Sequence, residues 1–199
     1  MRGPVTAFLA LAISFGAWGS LAPAPQAGLP DVASPAPEPL GPTALEWLVD
    51  YLGHFQMRLS ASERRSVAET LIAECQRYDL DRNLVLAVIR IESGFNAFAR
   101  SHMGALGLMQ VIPETGESVA RDLGLHWRGP ETLLDPVANV KIGTAYLAWL
   151  HGRYGEMDHA LAAYNWGPAA IDRRLRRGRP MPARYVTQVR TAFQARVRR

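Results

Sequence analysis

Hydrophobic positions recur along the chain at helical spacing from Thr43 onward. Leu45, Leu48, Val49, Leu52 and Phe55 fall on one helical face. A second helix is expected through Val67, Leu71, Ile72 and Cys75, with Ser62 as its cap. A third is capped by Asp81 and has Leu84–Ile91 as its body, apolar nearly all round except at Arg90. A helix of that type belongs in a core, and Gly94 ends it. A glycine-punctuated loop through Met103 follows, then a short helix over Leu106–Ile112 and another from Pro113 to Leu123. Asp135-Pro136 is a strong start signal, with Asp at the cap and Pro in the first turn. That helix carries Val140, Tyr146, Leu147, Leu150 and Tyr154. Further helices are expected from Asp158 to Asn165, from Pro168, and over Tyr185–Val197. No alternating run is long enough for a sheet, so the expectation is a single all-α domain over residues 43–199 without repeats.

The first forty residues break this pattern. Arg2 precedes an uncharged run that lasts until Asp31, and Ala7–Trp18 is almost wholly apolar. A positive residue followed by such a run reads as an export signal over residues 1–22, with a retained membrane anchor as the alternative. Both place the working domain outside the cytoplasm, in the periplasm or cell envelope. Residues 23–42 hold seven prolines, Pro23, Pro25, Pro30, Pro35, Pro37, Pro39 and Pro42, a density that favours an extended tether.

Composition narrows the chemistry. The formal net charge of +4 comes largely from Arg173, Arg174, Arg176, Arg177 and Arg179 and from the C-terminal arginines. No aromatic interleaves that cluster, which argues against nucleic acid as a partner. A solvated basic face and a surface for an anionic lipid or wall polymer both remain open. Cys75 is the only cysteine, so neither an intramolecular disulfide nor a thiolate metal site is available. The five histidines are scattered without ligand spacing, and neither a metal nor a cofactor is expected.

Glu92 is the candidate that composition alone would miss. It ends an apolar helix, where burial disfavours the carboxylate and the negative end of the helix dipole acts in the same sense. Such a group can stay protonated near neutral pH and donate to a leaving oxygen. A glutamate facing solvent at the helix end is the plain alternative.

Around it stand Ile91-Glu92-Ser93-Gly94-Phe95-Asn96 and Gly104-Ala105-Leu106-Gly107-Leu108-Met109-Gln110. Asp135-Pro136 with Asn139, Gly143 and Tyr146-Leu147 come next, and then Ala162-Ala163-Tyr164-Asn165-Trp166-Gly167-Pro168. In this order, roughly from Leu80 to Val189, the chain resembles the catalytic domain of the soluble lytic transglycosylase family, whose fold is similar to goose-type lysozyme. The resemblance implies a lysozyme-like fold and cleavage of the N-acetylmuramic acid–N-acetylglucosamine bond of peptidoglycan. It makes Glu92 the sole acid/base and the muramic acetamido group an internal participant, with anhydro-muramic ends as products. It implies substrate contacts at Ser101, Gly107, Met109, Gln110, Tyr164, Asn165 and Tyr185, with the Tyr164 hydroxyl pointing at Glu92 and Gln110 meeting the N-acetyl group. Gly104 matches a second glycine of the glycan-facing loop. Structural readings stand beside these: Ser101 as a turn residue, Met109 as core, Asn165 as a left-handed helix end. Two departures are visible. No acid occurs in Pro180-Met181-Pro182-Ala183-Arg184 before Tyr185, where relatives often carry Glu-Thr, and Trp166 replaces a small residue. The expected partner is the glycan strand, acted on by a monomer with a possible inner-membrane attachment. A lysozyme-like hydrolase, which needs a second carboxylate, and a non-catalytic wall-binding module are the competing functions.

Overall fold

The computed structural model describes residues 42–197. The expected signal or anchor and nearly all of the proline-rich tether lie outside them. The described chain forms α1 (Pro42–Gly53), α2 (Ala61–Arg77), α3 (Arg82–Ser93) and α4 (Pro113–Asp122). A short 3-10 turn, Pro130–Leu134, then leads into α5 (Pro136–Tyr154), α6 (Met157–Trp166), α7 (Pro168–Arg176) and α8 (Ala183–Val197). Among the described residues there is no strand, only isolated bridges joining Leu106 to Arg100 and to Val111. No helix among them is long and apolar enough to cross a membrane.

Two helices form the centre. α3 buries every residue from Leu84 to Ile89, which explains its nearly continuous apolar sequence, and its most extensive neighbour is α8. α5 touches α2, α4, α6 and the 3-10 turn. It buries Val140, Ile142, Leu147 and Leu150 together with the polar Asn139 and Thr144. The Asp135 side chain caps it by accepting from the Val137 and Ala138 amides, both at 2.9 Å.

Two local expectations are corrected. Ser60, not Ser62, caps α2. Its hydroxyl accepts from the Glu63 amide while the Glu63 carboxylate accepts from the Ser60 amide at 2.7 Å, a reciprocal box that satisfies two orphan donors. Ser62 is followed three residues later by Arg65, which carries no acceptor. Leu106–Ile112 is not a helix. Gly107 has φ 77° and Gln110 φ 48°, so the segment closes as a tight loop, with Leu106 and Val111 exchanging both backbone hydrogen bonds. Smaller shifts occur at α6, which starts at Met157 with Glu156 at the cap position, and at α8, which starts at Ala183.

α3 ends as its glycine predicts. Gly94 is left-handed at φ 59°, and its amide donates to the Arg90 carbonyl. Phe95 follows at φ 67°, a conformation that costs a bulky L-residue about 1–2 kcal/mol. Burial holds it there: Phe95 is fully enclosed, stacked on Phe55 at 4.0 Å between ring centroids and edge-on to Tyr51. The chain therefore turns sharply three residues after Glu92 and is held in that turn by aromatic packing from Tyr51 of α1 and from Phe55 just beyond it.

Candidate active site

Glu92 lies in the last turn of α3, where α3 meets the first turn of α8. The Tyr185 hydroxyl donates to Glu92 Oε1 at 2.6 Å. Glu92 as a residue keeps a partly open face, but its carboxyl group is enclosed by protein. Burial pushes it from the ordinary value of 4.5 up to about 7, against the Tyr185 hydrogen bond, which lowers it. Among the described residues no second carboxylate contributes to this shift. At neutral pH the group is thus divided between acid and base, the condition a single proton carrier needs.

The loop 104–111 is fastened by α5. Asn139 is fully buried, and all three of its hydrogen bonds go to backbone. Its Oδ1 accepts from the Met109 amide at 2.8 Å, and its Nδ2 donates to the carbonyls of Leu106 and Leu133, both at 2.9 Å. Gly107 packs so closely on this group that a Cβ there would collide with Asn139 Nδ2 and the Leu133 carbonyl. Gly107→Ala should therefore cost at least about 3 kcal/mol. Gly104→Ala meets nothing within 4 Å and carries only the strain of φ 82°. Urea midpoints of the two variants check the contrast; equal losses would contradict the packing described.

Tyr185, not Tyr164, is the tyrosine that reaches Glu92. Tyr164 does not donate to Glu92: its hydroxyl donates to the Met109 carbonyl at 2.8 Å, tying α6 to the loop. It still lies within electrostatic reach of Glu92, whose charge adds to burial in raising the Tyr164 pKa well above the usual range. Tyr185 is the hydroxyl on Glu92, and it is itself buried at 3% exposure.

The remaining candidates divide. Gln110 is half-buried, with Nε2 committed to the carbonyls of Gly107 at 2.9 Å and Ala99 at 3.2 Å. That leaves Oε1 as the atom able to accept from a ligand. Ser101 Oγ accepts from the Met103 and Ala105 amides, so it shapes the turn while its own proton stays free to donate. The Met109 side chain is fully buried against Gly143, where an added Cβ would lie 2.6 Å from its sulfur, and it takes the Thr144 hydroxyl at 3.7 Å. It is a core residue and presents nothing to a ligand. Asn165 is helical and not the left-handed end expected of it; α6 ends instead at Gly167, whose φ is 77° and ψ 143°. Trp166 stands 42% exposed, with the Arg174 guanidinium 5.4 Å from its ring centre. Asn139 was visible only as a motif letter. Its role as the loop's anchor is signalled by a polar residue one turn into α5, on the face that also carries the buried Val140, Ile142 and Gly143.

The chain is similar to known proteins. Residues 69–184 match the family described as the Transglycosylase SLT domain. The chain is 37% identical over 95 residues to the soluble lytic murein transglycosylase of Salmonella typhimurium, covering 47% of this chain and 15% of that protein. It is 39% identical over 107 residues to the membrane-bound lytic murein transglycosylase C of Cronobacter sakazakii, covering 48% and 29%. The chain thus spans under a third of the length of either relative. Among solved structures it is similar to an inactive mutant of the lytic transglycosylase Slt from Pseudomonas aeruginosa, with TM-score 0.52, 31% identity, and 63% of this chain and 21% of that chain covered. The 70-kDa soluble lytic transglycosylase of Escherichia coli shares the fold at TM-score 0.52 and 23% identity, over 66% of this chain and 24% of that one. An all-helical domain with this motif order, matched over residues 69–184, belongs to the Transglycosylase SLT domain family.

Proposed function

We propose that this protein is a peptidoglycan lytic transglycosylase and that Glu92 carries both proton transfers. The observation that supports this best is the buried Glu92 carboxyl, raised to about 7 and hydrogen-bonded only to Tyr185 among the described residues. Protonated, it donates to the glycosidic oxygen between N-acetylmuramic acid and N-acetylglucosamine. The muramic acetamido oxygen closes on the anomeric carbon as that bond breaks. Glu92, now a carboxylate, takes the proton of the muramic C6 hydroxyl, whose oxygen displaces the acetamido group and forms the anhydro ring. No water is consumed. A conventional glycosidase pair needs a second carboxyl group within about 10 Å, and among the described residues no carboxylate contributes to the Glu92 shift.

Gln110 Oε1 and the Ser101 hydroxyl are the polar groups we assign to the sugar's N-acetyl and hydroxyl substituents. The relatives support the substrate: two are named murein transglycosylases. The apolar run after Arg2 supports work in the cell envelope, where that substrate is found.

Mass spectrometry of the products from purified peptidoglycan tests the assignment. Anhydro-muramic ends are expected. Reducing ends heavier by one water would make the protein a hydrolase and overturn the assignment.

The Tyr185 hydroxyl stabilises the charged form of Glu92. Tyr185→Phe should therefore raise the Glu92 pKa further. Cleavage requires protonated Glu92 in its first step, so kcat/KM should decline above pH 7 in the wild type. In the variant that alkaline limb should move upward by about one pH unit. A pH–rate profile checks this, and a limb that stays put or moves down would contradict the role given to Tyr185.

A further inference from the structure

Glu92 is gripped at one point only. Its Oε1 accepts from Tyr185, and no other hydrogen bond reaches the carboxyl among the described residues. Where the group stands is therefore set by the backbone that carries it, and that backbone runs into an uncommon turn. Gly94 and Phe95 are both left-handed, at φ 59° and 67°, and the Asn96 amide donates to the Ser93 carbonyl at 3.1 Å. A phenylalanine keeps such a conformation only where its surroundings over-determine it.

Those surroundings are a column of aromatic rings built from α1. Trp47 and Tyr51 stand one turn apart on that helix, and Phe55 follows just beyond its end at Gly53. Trp47 stacks on Tyr51 at 5.5 Å between ring centroids, with 13° between the planes. Tyr51 meets Phe55 edge-on at 5.0 Å and Phe95 edge-on at 5.8 Å, and Phe55 stacks on Phe95 at 4.0 Å. At the other end the Arg82 guanidinium lies 5.8 Å from the Trp47 ring centre. Arg82 is the first residue of α3, and Phe95 lies just past its last, Ser93. The column thus touches α3 at its start and the turn beyond its end, through side chains. It precedes the segment matched to the family, which begins at residue 69, and the proton transfers assigned to Glu92 use none of its rings.

We propose that the column of Trp47, Tyr51 and Phe55 splints α3, and that Tyr51 and Phe55 are positioning residues that fix where the Glu92 carboxyl stands by pinning Phe95. The proposal rests on the acid/base role given to Glu92 above. Misplacing a reacting group by about 1 Å can cost about a hundredfold in rate, so a loosened turn is read in kcat rather than in substrate affinity.

The test uses the full chain with Phe55→Leu, which keeps an apolar side chain without a flat face, and Phe55→Tyr, which restores the face. Each is assayed on purified peptidoglycan well below its melting temperature. Phe55→Leu should lose about tenfold in kcat with KM within about twofold, and Phe55→Tyr should recover most of the loss. The titratable groups that face the carboxyl are Tyr185 from α8 and Tyr164 from α6, and both are left in place. A loosened turn opens the carboxyl to water, and burial is the larger cause of its raised value, so the alkaline limb of kcat/KM should move down in Phe55→Leu. Should that variant not fold, Phe55→Met carries the same test with a loss of about threefold. A lowered melting temperature with kcat and the limb unmoved would make the column core packing only and overturn the proposal. Equal kcat losses in Phe55→Leu and Phe55→Tyr would overturn it as well, with the transglycosylase function left standing. A wild type that yields no anhydro products would overturn the function instead. Carbon-13 titration of Glu92 then decides the splint by itself: a midpoint lowered in Phe55→Leu supports it, and an unmoved midpoint overturns it.

Discussion

Glu92→Gln should abolish cleavage and make the protein more stable at alkaline pH. The amide keeps the size of the carboxyl and keeps an oxygen to accept from Tyr185, so the 2.6 Å contact has a replacement and α3 and α8 need not separate. The proton is lost. With no second carboxylate acting at this position among the described residues, turnover should fall by roughly two to four orders of magnitude. The stability effect has the opposite sign. A carboxyl raised from 4.5 to about 7 binds its proton more tightly in the folded state. Its contribution is fully present below about pH 4.5 and is lost as pH rises through 7, where folding must hold a buried charge. The interval amounts to about 3 kcal/mol of penalty above pH 8, which a neutral glutamine does not incur. Urea unfolding at pH 5 and pH 8, with turnover measured beside it, checks both halves. A variant that keeps wild-type turnover, or that is less stable than wild type at pH 8, would contradict the role and the burial respectively.

Asn139→Asp should be the most damaging single change to the anchor of the loop 104–111. Aspartate keeps the oxygen that accepts from the Met109 amide at 2.8 Å, but it places a second oxygen against the Leu106 and Leu133 carbonyls, where Nδ2 now donates to both. The position is fully buried, so neither a charged carboxylate nor two unpaired carbonyls can turn to water. The expected loss is about 3–5 kcal/mol, with melting well below the wild type. Activity should be reduced even where the variant is folded, since the backbone of Gly107–Gln110 would no longer be held. Asn139→Ala should be milder in charge but still lose all three bonds. Calorimetry and turnover at low temperature measure the two effects, and a melting temperature within a degree or two of wild type would contradict the anchoring role.

What could be read from the chain was whatever local patterns determine. The apolar run Leu84–Ile89, the stop at Gly94 and the Asp135-Pro136 start each express a rule of burial, left-handed backbone or capping that acts within a few residues, and each matches the structure. The position of Glu92 at the end of a buried helix is of the same kind. Long-range packing was not legible. Leu106–Ile112 has a helical composition, but it is held as a loop by Asn139, 33 residues away from Leu106. Which tyrosine reaches Glu92 depends on how α8 lies on α3, and the 93-residue separation between Glu92 and Tyr185 leaves no local trace. The α2 cap departs from expectation for a different reason: the box at Ser60 and Glu63 is local, but Ser62 stands nearer the first apolar position of the helix.

The most direct test of the central claim, that one buried carboxyl group serves as both acid and base, is a titration of Glu92 followed by carbon-13 NMR of the selectively labelled side chain. A midpoint near 7, in step with the alkaline limb of kcat/KM and moved upward in Tyr185→Phe, is the predicted result. A midpoint near 4.5, the ordinary value, would mean that Glu92 is a solvated carboxylate at neutral pH and that the proton for cleavage comes from elsewhere.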